Sequence, residues 1–263
     1  MRKKKVLIFG GKGFVGSHLK GERSLARVYS LDDILAEIAK KKPDVMINCI
    51  GYTGKENTDN CEAFSDYALN ANSFLPVLFA EAAIRTGVKL VHVSSGCMFK
   101  TADFIGEDEI PDFYDLFYSR TKIYGEAALY GIAGYGKANI LIVRPRIPFF
   151  DGTNPRDILY KIQRFKKVID YANSMTYLPD FGRAVDHLIK KGATGIYNIV
   201  NPGPVRYKTI LRECFGKRVV EMRHTDLNLI RTNVTLSCSK LIESGFRPMD
   251  TMDAIKHGLR GAK

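Results

Sequence analysis

Short apolar runs recur through the first half of the chain: residues 5–9 (KVLIF), 26–30 (ARVYS), 45–51 (VMINCIG), 88–93 (VKLVHV) and 139–143 (NILIV). Their length and β-branched content predict strands, and their near-continuous hydrophobicity predicts a sheet buried on both faces. Amphipathic stretches at 33–41, across 52–72, up to residue 85 and from Tyr118 onward predict the intervening helices. Strand and helix in alternation predict an α/β fold, a Rossmann-type doubly wound parallel sheet. Beyond residue 147 the pattern changes. A turn-rich break at 148–157 leads to a basic helix over 158–167, a second helix within 173–191 and a strand at 195–200. The remainder, with helices near 208–214, 239–244 and 252–259 around a short strand at 218–222, predicts a smaller C-terminal substrate-binding lobe. The expected division is 1–148 for the dinucleotide-binding domain, with 176–200 returning to it, and 149–175 plus 201–263 for the lobe.

The first strand runs directly into Gly10-Gly11-Lys12-Gly13-Phe14-Val15-Gly16, which satisfies GxGxxG from Gly11 and GxxGxxG from Gly10. Such a turn lets a pyrophosphate approach backbone free of Cβ atoms and aims a helix N-terminus at its charge. Asn48 and Gly51, at the end of the third strand, lie where open parallel sheets bind ligands. The run 26–30 ends in Ser30, leaving room for a 2′-phosphate with Lys12, Arg23 and Arg27 as nearby cations. Asp32 reads as a helix N-cap ahead of a ribose ligand. The expected cofactor is NADPH, with NADH as the other candidate.

The central strand is followed by Ser94-Ser95-Gly96-Cys97, and residues 118–122 read YSRTK. On a strand, Ser95 and Cys97 would point to one side; on a helix, Tyr118 and Lys122 would share a face. In this set Lys122 would lower the Tyr118 phenol toward working pH and Ser95 would hold a carbonyl. The acidic, aromatic loop at 99–117 reads as a substrate-facing flap. His92, inside the central strand, reads as core.

Composition adds limits. The 263 residues carry a net charge of +12, which suits anionic ligands such as pyrophosphates. The basic residues are spread out rather than gathered with aromatics, so nucleic acid is not expected. The five cysteines are odd in number and lack metal spacing, so neither disulfides nor a metal site is expected. No apolar run reaches membrane-spanning length, and no signal-peptide pattern opens the chain, so the expectation is a cytoplasmic protein without membrane contact.

The order of glycine turn, Asn-containing strand, serine and YxxxK resembles the extended short-chain dehydrogenase/reductases. Gly96-Cys97 stands where the dehydratase branch has an Asp-Glu pair, which leaves dehydration unsupported. VLIFG, YTGKENTDNCE, SGCMF, FYSRTK, NPRDILYKI, NSMT, NIVNPG and IRTN together resemble the bifunctional 3,5-epimerase/4-reductases that make UDP-L-rhamnose. The resemblance implies that Cys97 and Lys161 exchange the protons at C3 and C5 of a 4-keto-6-deoxy sugar. Tyr118 and Ser95 would stabilise the enolate, and hydride transfer with a proton from Tyr118 would complete reduction. It also implies a homodimer and a separate upstream 4,6-dehydratase that supplies the keto sugar. Arg144 either orients substrate or ends a strand; Asn173, Ser174, Asn201 and Arg231 either contact the nucleotide-sugar or serve turns and caps. Two other readings are a dTDP-4-keto-L-rhamnose-type 4-reductase without epimerase activity and a non-catalytic NADP(H)-sensing protein.

Overall fold

The computed structural model describes residues 4–55, 57–134, 138–169, 171–223, 226 and 230–261; the basic start at 1–3 lies outside them. In chain order the strands are β1 (Val6–Phe9), β2 (Glu22–Arg23), β3 (Val45–Asn48), β4 (Lys89–Val93), β5 (Ala102–Ile105), β6 (Ile140–Arg144), β7 (Pro148–Phe149), β8 (Lys167–Ile169), β9 (Thr176–Tyr177), β10 (Gly195–Asn198), β11 (Val220–Met222) and β12 (Val234–Leu236). The helices are α1 (Leu31–Lys41), α2 (Asn60–Ala63), α3 (Ser65–Leu69), α4 (Leu75–Thr86), α5 (Phe117–Gly134), α6 (Ile158–Ile162), α7 (Leu178–Lys191), α8 (Tyr207–Phe215), α9 (Ser239–Glu243) and α10 (Thr251–Gly261).

Six strands form one parallel sheet in the order β10-β6-β4-β3-β1-β2. Within each apolar strand alternate side chains enter different cores, as the pleat requires. Ile8, Ile47, Val91 and Val143 face α7, packing with Leu178, Phe181 and Leu188. Leu7, Met46, Leu90 and Ile142 face the other way, against Ile34 and Ile38 of α1, Phe79 of α4 and Leu129 of α5. A separate core forms from Phe149, Leu159, Ile162, Met175, Tyr177, Ile210, Leu211, Ala254 and Ile255.

Three local expectations fail near the N-terminus. The glycine turn does not start a helix; one 3₁₀ turn at Gly16–His18 is followed almost at once by β2. Parallel strands are normally joined by a dozen or more residues, and the few between Gly16 and Glu22 leave no length for a crossover helix. α7 occupies the adjoining space, and the absent side chain of Gly182 admits the carbonyl of His18. The second strand is Glu22–Arg23, in register with Leu7 and Ile8, rather than 26–30. Ser30 instead caps α1, exchanging hydrogen bonds with Asp33 in a capping box, so Asp32 is a first-turn residue and not the cap. The loop at 99–117 is not a free flap either, because its β5 pairs in parallel with β12.

Gly182→Ala should cost about 1–3 kcal/mol through overpacking against the His18 carbonyl. Gly131→Ala, in α5 with open space at its Cβ, should add up to about 1 kcal/mol. Urea denaturation of the two variants checks the contrast in sign.

Candidate active site

β4 ends at Val93, so Ser95 and Cys97 do not share a strand face; they lie in the turn beyond it. The turn joins them by another route. Cys97 N donates to Ser95 Oγ at 3.1 Å, and Ser119 Oγ of α5 donates to the Cys97 carbonyl at 2.5 Å. Tyr118 and Lys122 stand one turn apart on α5, 6% and 4% exposed. The Tyr118 hydroxyl lies near enough to Ser95 and Cys97 for both to act on its proton, so the three side chains form one cluster.

Burial pushes the Tyr118 phenol well above its ordinary range, with Cys97 adding to the rise and the Ser95 hydrogen bond opposing it. This differs from the expectation that Lys122 lowers the phenol: desolvation dominates, and the protonated form is favoured. A protonated phenol is the form a proton donor needs. Burial also draws Lys122 down to about 8, opposed by Cys49, Glu126, Cys61 and Cys97. Cys49 is pushed up to about 12 and Cys61 to about 11, mainly by burial, so both persist as thiols at neutral pH.

The sequence pattern gives no sign of the device that holds the back of this group. Residues Asn70–Phe74 form a π-helical turn ahead of α4, a distortion common at functional sites. It turns Asn72 inward, where its amide donates to the carbonyl of Tyr52 (2.9 Å) and to Thr121 Oγ1 (3.1 Å) and accepts from Tyr52 N (3.0 Å). Gly51 completes the arrangement, since a Cβ there would stand 3.3 Å from Lys122 Nζ. Asn48 is spent internally: it accepts from Ile50 N at 3.0 Å and donates to the neutral ring of His92 at 3.3 Å.

In the glycine turn, Gly10 has φ +76°, and a Cβ there would lie 2.7 Å from the Cys49 carbonyl group. Gly13 N donates to Gly10 O, and Gly16 packs against Gly10 O, so the glycines under constraint are those of GxxGxxG. Phe14 and Val15 anchor the turn in the core below it. Arg23 is not a free cation: its guanidinium donates to Gly11 O (3.1 Å) and Ser17 O (3.0 Å), tying down the short turn. Lys12 and Arg27 instead line a cavity of about 450 Å³ with Gly10, Gly11, Ser24 and Ile50.

The substrate-side candidates separate. Arg144 is 1% exposed and locked to Glu126, with Nη1 near the Glu107 carbonyl and the Phe99 ring beneath. Asn201 bonds Asp180, Met249 O and Tyr177 N, and Ser174 bonds the backbone of Leu236; both join segments of the fold. Arg231 makes a two-pronged ion pair with Asp59. Lys161 is half-buried on α6, which Asp157 caps. The residue that sequence reasoning passes over is Arg146: it donates to Gly96 O (3.1 Å), Cys97 Sγ (3.3 Å), Asn173 Oδ1 (2.7 Å) and Thr232 O (2.8 Å). Its only sequence signal is a second arginine just beyond the end of β6. Tyr207 lies within electrostatic reach of Arg146, Cys97 and Arg231, its phenol pushed up to about 12 chiefly by burial.

The family model described as RmlD substrate binding domain matches residues 4–201. The bifunctional dTDP-4-dehydrorhamnose 3,5-epimerase/dTDP-4-dehydrorhamnose reductase of Arabidopsis thaliana is 33% identical over 224 residues, 78% of this chain and 72% of the relative. The L780 UDP-rhamnose synthase of Acanthamoeba polyphaga mimivirus superposes with a TM-score of 0.88 at 22% identity, covering 98% of this chain and 99% of that one. The dTDP-4-dehydrorhamnose reductase of Bacillus anthracis, in complex with NADP, does so with a TM-score of 0.83 at 20% identity, covering 99% and 100%. At these identities the solved structures establish the shared fold.

Lys122→Met should raise the stability of the ligand-free protein by about 1–3 kcal/mol, because an apolar chain replaces a buried ammonium. The folded group titrates near 8 and the unfolded one near 10.5, so the lysine's cost is complete below pH 8 and gone above 10.5. Urea melts across that window should therefore show the two proteins converging as pH rises.

Proposed function

The chain belongs to the RmlD substrate-binding-domain family, and from that footing we propose that it inverts C3 and C5 of UDP-4-keto-6-deoxy-D-glucose and then reduces the 4-ketone with NADPH, giving UDP-L-rhamnose. The observation that carries this reading is the connected group of Ser95, Tyr118 and Cys97, with Lys122 buried one helical turn from Tyr118. The Arabidopsis relative named for both activities supports pairing reduction with epimerisation, and the mimivirus protein's name supports a UDP-linked sugar.

In this reading Ser95 and Tyr118 donate hydrogen bonds to the sugar's C4 oxygen. As a proton leaves C3 or C5, negative charge gathers on that oxygen, and the two hydroxyls stabilise it. Cys97 and Lys161 serve as the proton-exchanging pair, one on each face of the ring. The dinucleotide, when bound, supplies the hydride for C4; Tyr118, kept protonated by burial, then gives its proton to the oxygen. The glycine turn, Gly51 and Lys122 would hold the dinucleotide, with Lys12 and Arg27 toward its phosphates. Two cations in that cavity favour the 2′-phosphate of NADPH, and Asp32 is committed to the first turn of α1. With Gly96-Cys97 in place of an acidic pair, a separate 4,6-dehydratase must supply the keto sugar.

Incubation with UDP-4-keto-6-deoxy-D-glucose and NADPH should consume cofactor and yield the L-configured sugar by NMR; a product reduced only at C4 with D configuration would remove the epimerase half. Tyr118→Phe should lower kcat for reduction by about 10²–10⁴-fold. Arg27→Ala should reduce the preference for NADPH over NADH by roughly tenfold, the size of one charge-assisted hydrogen bond, as read from kcat/KM with each cofactor.

A further inference from the structure

Arg144 and Arg146 are two residues apart, and both are almost completely buried, at 1% and 2% exposure. Their surroundings differ. Arg144 is neutralised by Glu126, whereas among the described residues Arg146 meets no carboxylate. Its Nη1 and Nη2 donate to two carbonyls, one amide oxygen and one sulfur, and its Nε meets no acceptor among the described residues. A buried cation without a counter-charge is costly. Among the described residues, the hydrogen-bond partner of Arg146 that can become an anion is the Cys97 sulfur, 3.3 Å from Nη1.

We infer that Arg146 is the positioning residue for Cys97, fixing the sulfur's place in the cleft and supplying its counter-charge during proton transfer at the sugar's α-carbon. This rests on the epimerase reading above. The same Nη1 also grips Gly96 O, so the guanidinium fixes the backbone of the turn together with the sulfur. Nη2 is anchored by Asn173 and Thr232, on segments remote from that turn. Cys97 keeps part of its surface exposed, as a group that meets a ligand must, while Cys61 is fully enclosed.

The step balances within the site. A Cys97 thiolate takes the proton from the carbon α to the ketone: the S–H bond forms and the C–H bond breaks. The C–H pair becomes the enolate C=C bond, and the carbonyl π pair moves to oxygen. A second acid on the opposite ring face returns a proton to carbon and restores the ketone, and the Cys97 thiol releases its proton to solvent. Through the whole cycle the cation remains beside the sulfur, placed to offset negative charge there.

The test compares wild type with Arg146→Gln and Arg146→Lys. Two rates are measured: solvent deuterium incorporation into the keto sugar with NADPH omitted, and NADPH-dependent reduction of the pre-epimerised L-configured ketone. The ratio of exchange to reduction should fall at least tenfold in Arg146→Gln and be partly restored in Arg146→Lys. Without any sugar, iodoacetamide labelling of Cys97 at pH 7, followed by peptide mass spectrometry, should slow several-fold in Arg146→Gln. An unchanged ratio with unchanged labelling overturns the inference, as does an equal loss of exchange and reduction. Absence of exchange in wild type overturns the epimerase reading and this role with it; labelling that still depends on the Arg146 charge would show the contact intact and the reaction misassigned. If neither Arg146 variant folds, Asn173→Ala, which removes one anchor of Nη2, should lower the exchange-to-reduction ratio, and an unchanged ratio overturns the role.

Discussion

β4 and β6 pair in parallel, and their hydrogen bonding continues past both strand ends. Ser94 N donates to Val143 O and Gly96 N to Pro145 O, each at 2.8 Å. That extension locks the turn carrying Ser95 and Cys97 to the segment carrying Arg146. The other side of the turn is held by Ser119 of α5, the helix that presents Tyr118 and Lys122. Five side chains from three segments thus occupy fixed relative positions because two backbone bonds outlast the sheet and Ser119 ties α5 to the turn. Sites carried by such rigid elements hold their geometry more closely than sites on free loops.

Charge is distributed with the same economy. Arg144 and Glu126 neutralise each other inside the fold, and their pair supports the strand end without facing the cleft. Among the described residues Lys122 forms no such ion pair, and burial draws it down to about 8. Arg146 stays a cation beside sulfur. Of these three buried basic groups near the carboxyl ends of β4 and β6, one is paired inside the fold and two carry no ion pair among the described residues. The stability given up by burying the latter two is consistent with a site held ready for developing negative charge.

The parallel sheet was legible because β1, β3, β4 and β6 are short, apolar and separated by amphipathic stretches, and the pleat then divides each between two cores. Ser95, Tyr118 and Lys122 were legible by residue type and spacing. The route that joins Ser95 to Cys97 was not, since strand parity was applied to residues that lie beyond the strand. Arg144 and Arg146 look alike in sequence; only Glu126, eighteen residues away, separates their roles. The π turn at Asn72 depends on packing against Thr121 and Gly125, contacts that no local pattern encodes. Ser30 was misread as a strand end because its capping box with Asp33 competes with an apolar run that never joins the sheet.

The short first crossover has the widest consequence. Parallel α/β proteins that bind dinucleotides place a helix N-terminus under the pyrophosphate, and its aligned peptide dipoles offer about half a positive charge. Here the turn ends in three residues of 3₁₀ helix, too few to align such a dipole. Arg23, which in a longer crossover would be free, is consumed in bonding the carbonyls of Gly11 and Ser17 that a helix would have satisfied. The groups left at this turn to meet an anion are the loop's own N–H groups and side-chain cations, of which Lys12 and Arg27 face the cavity. Side-chain charges at an open rim are screened by salt far more than a buried dipole. The chain's excess of twelve positive charges acts in the same direction over a longer range, favouring the approach of anionic ligands. Without a helix here, a phosphate at this turn would meet loop N–H groups and exposed side-chain cations in place of an aligned dipole.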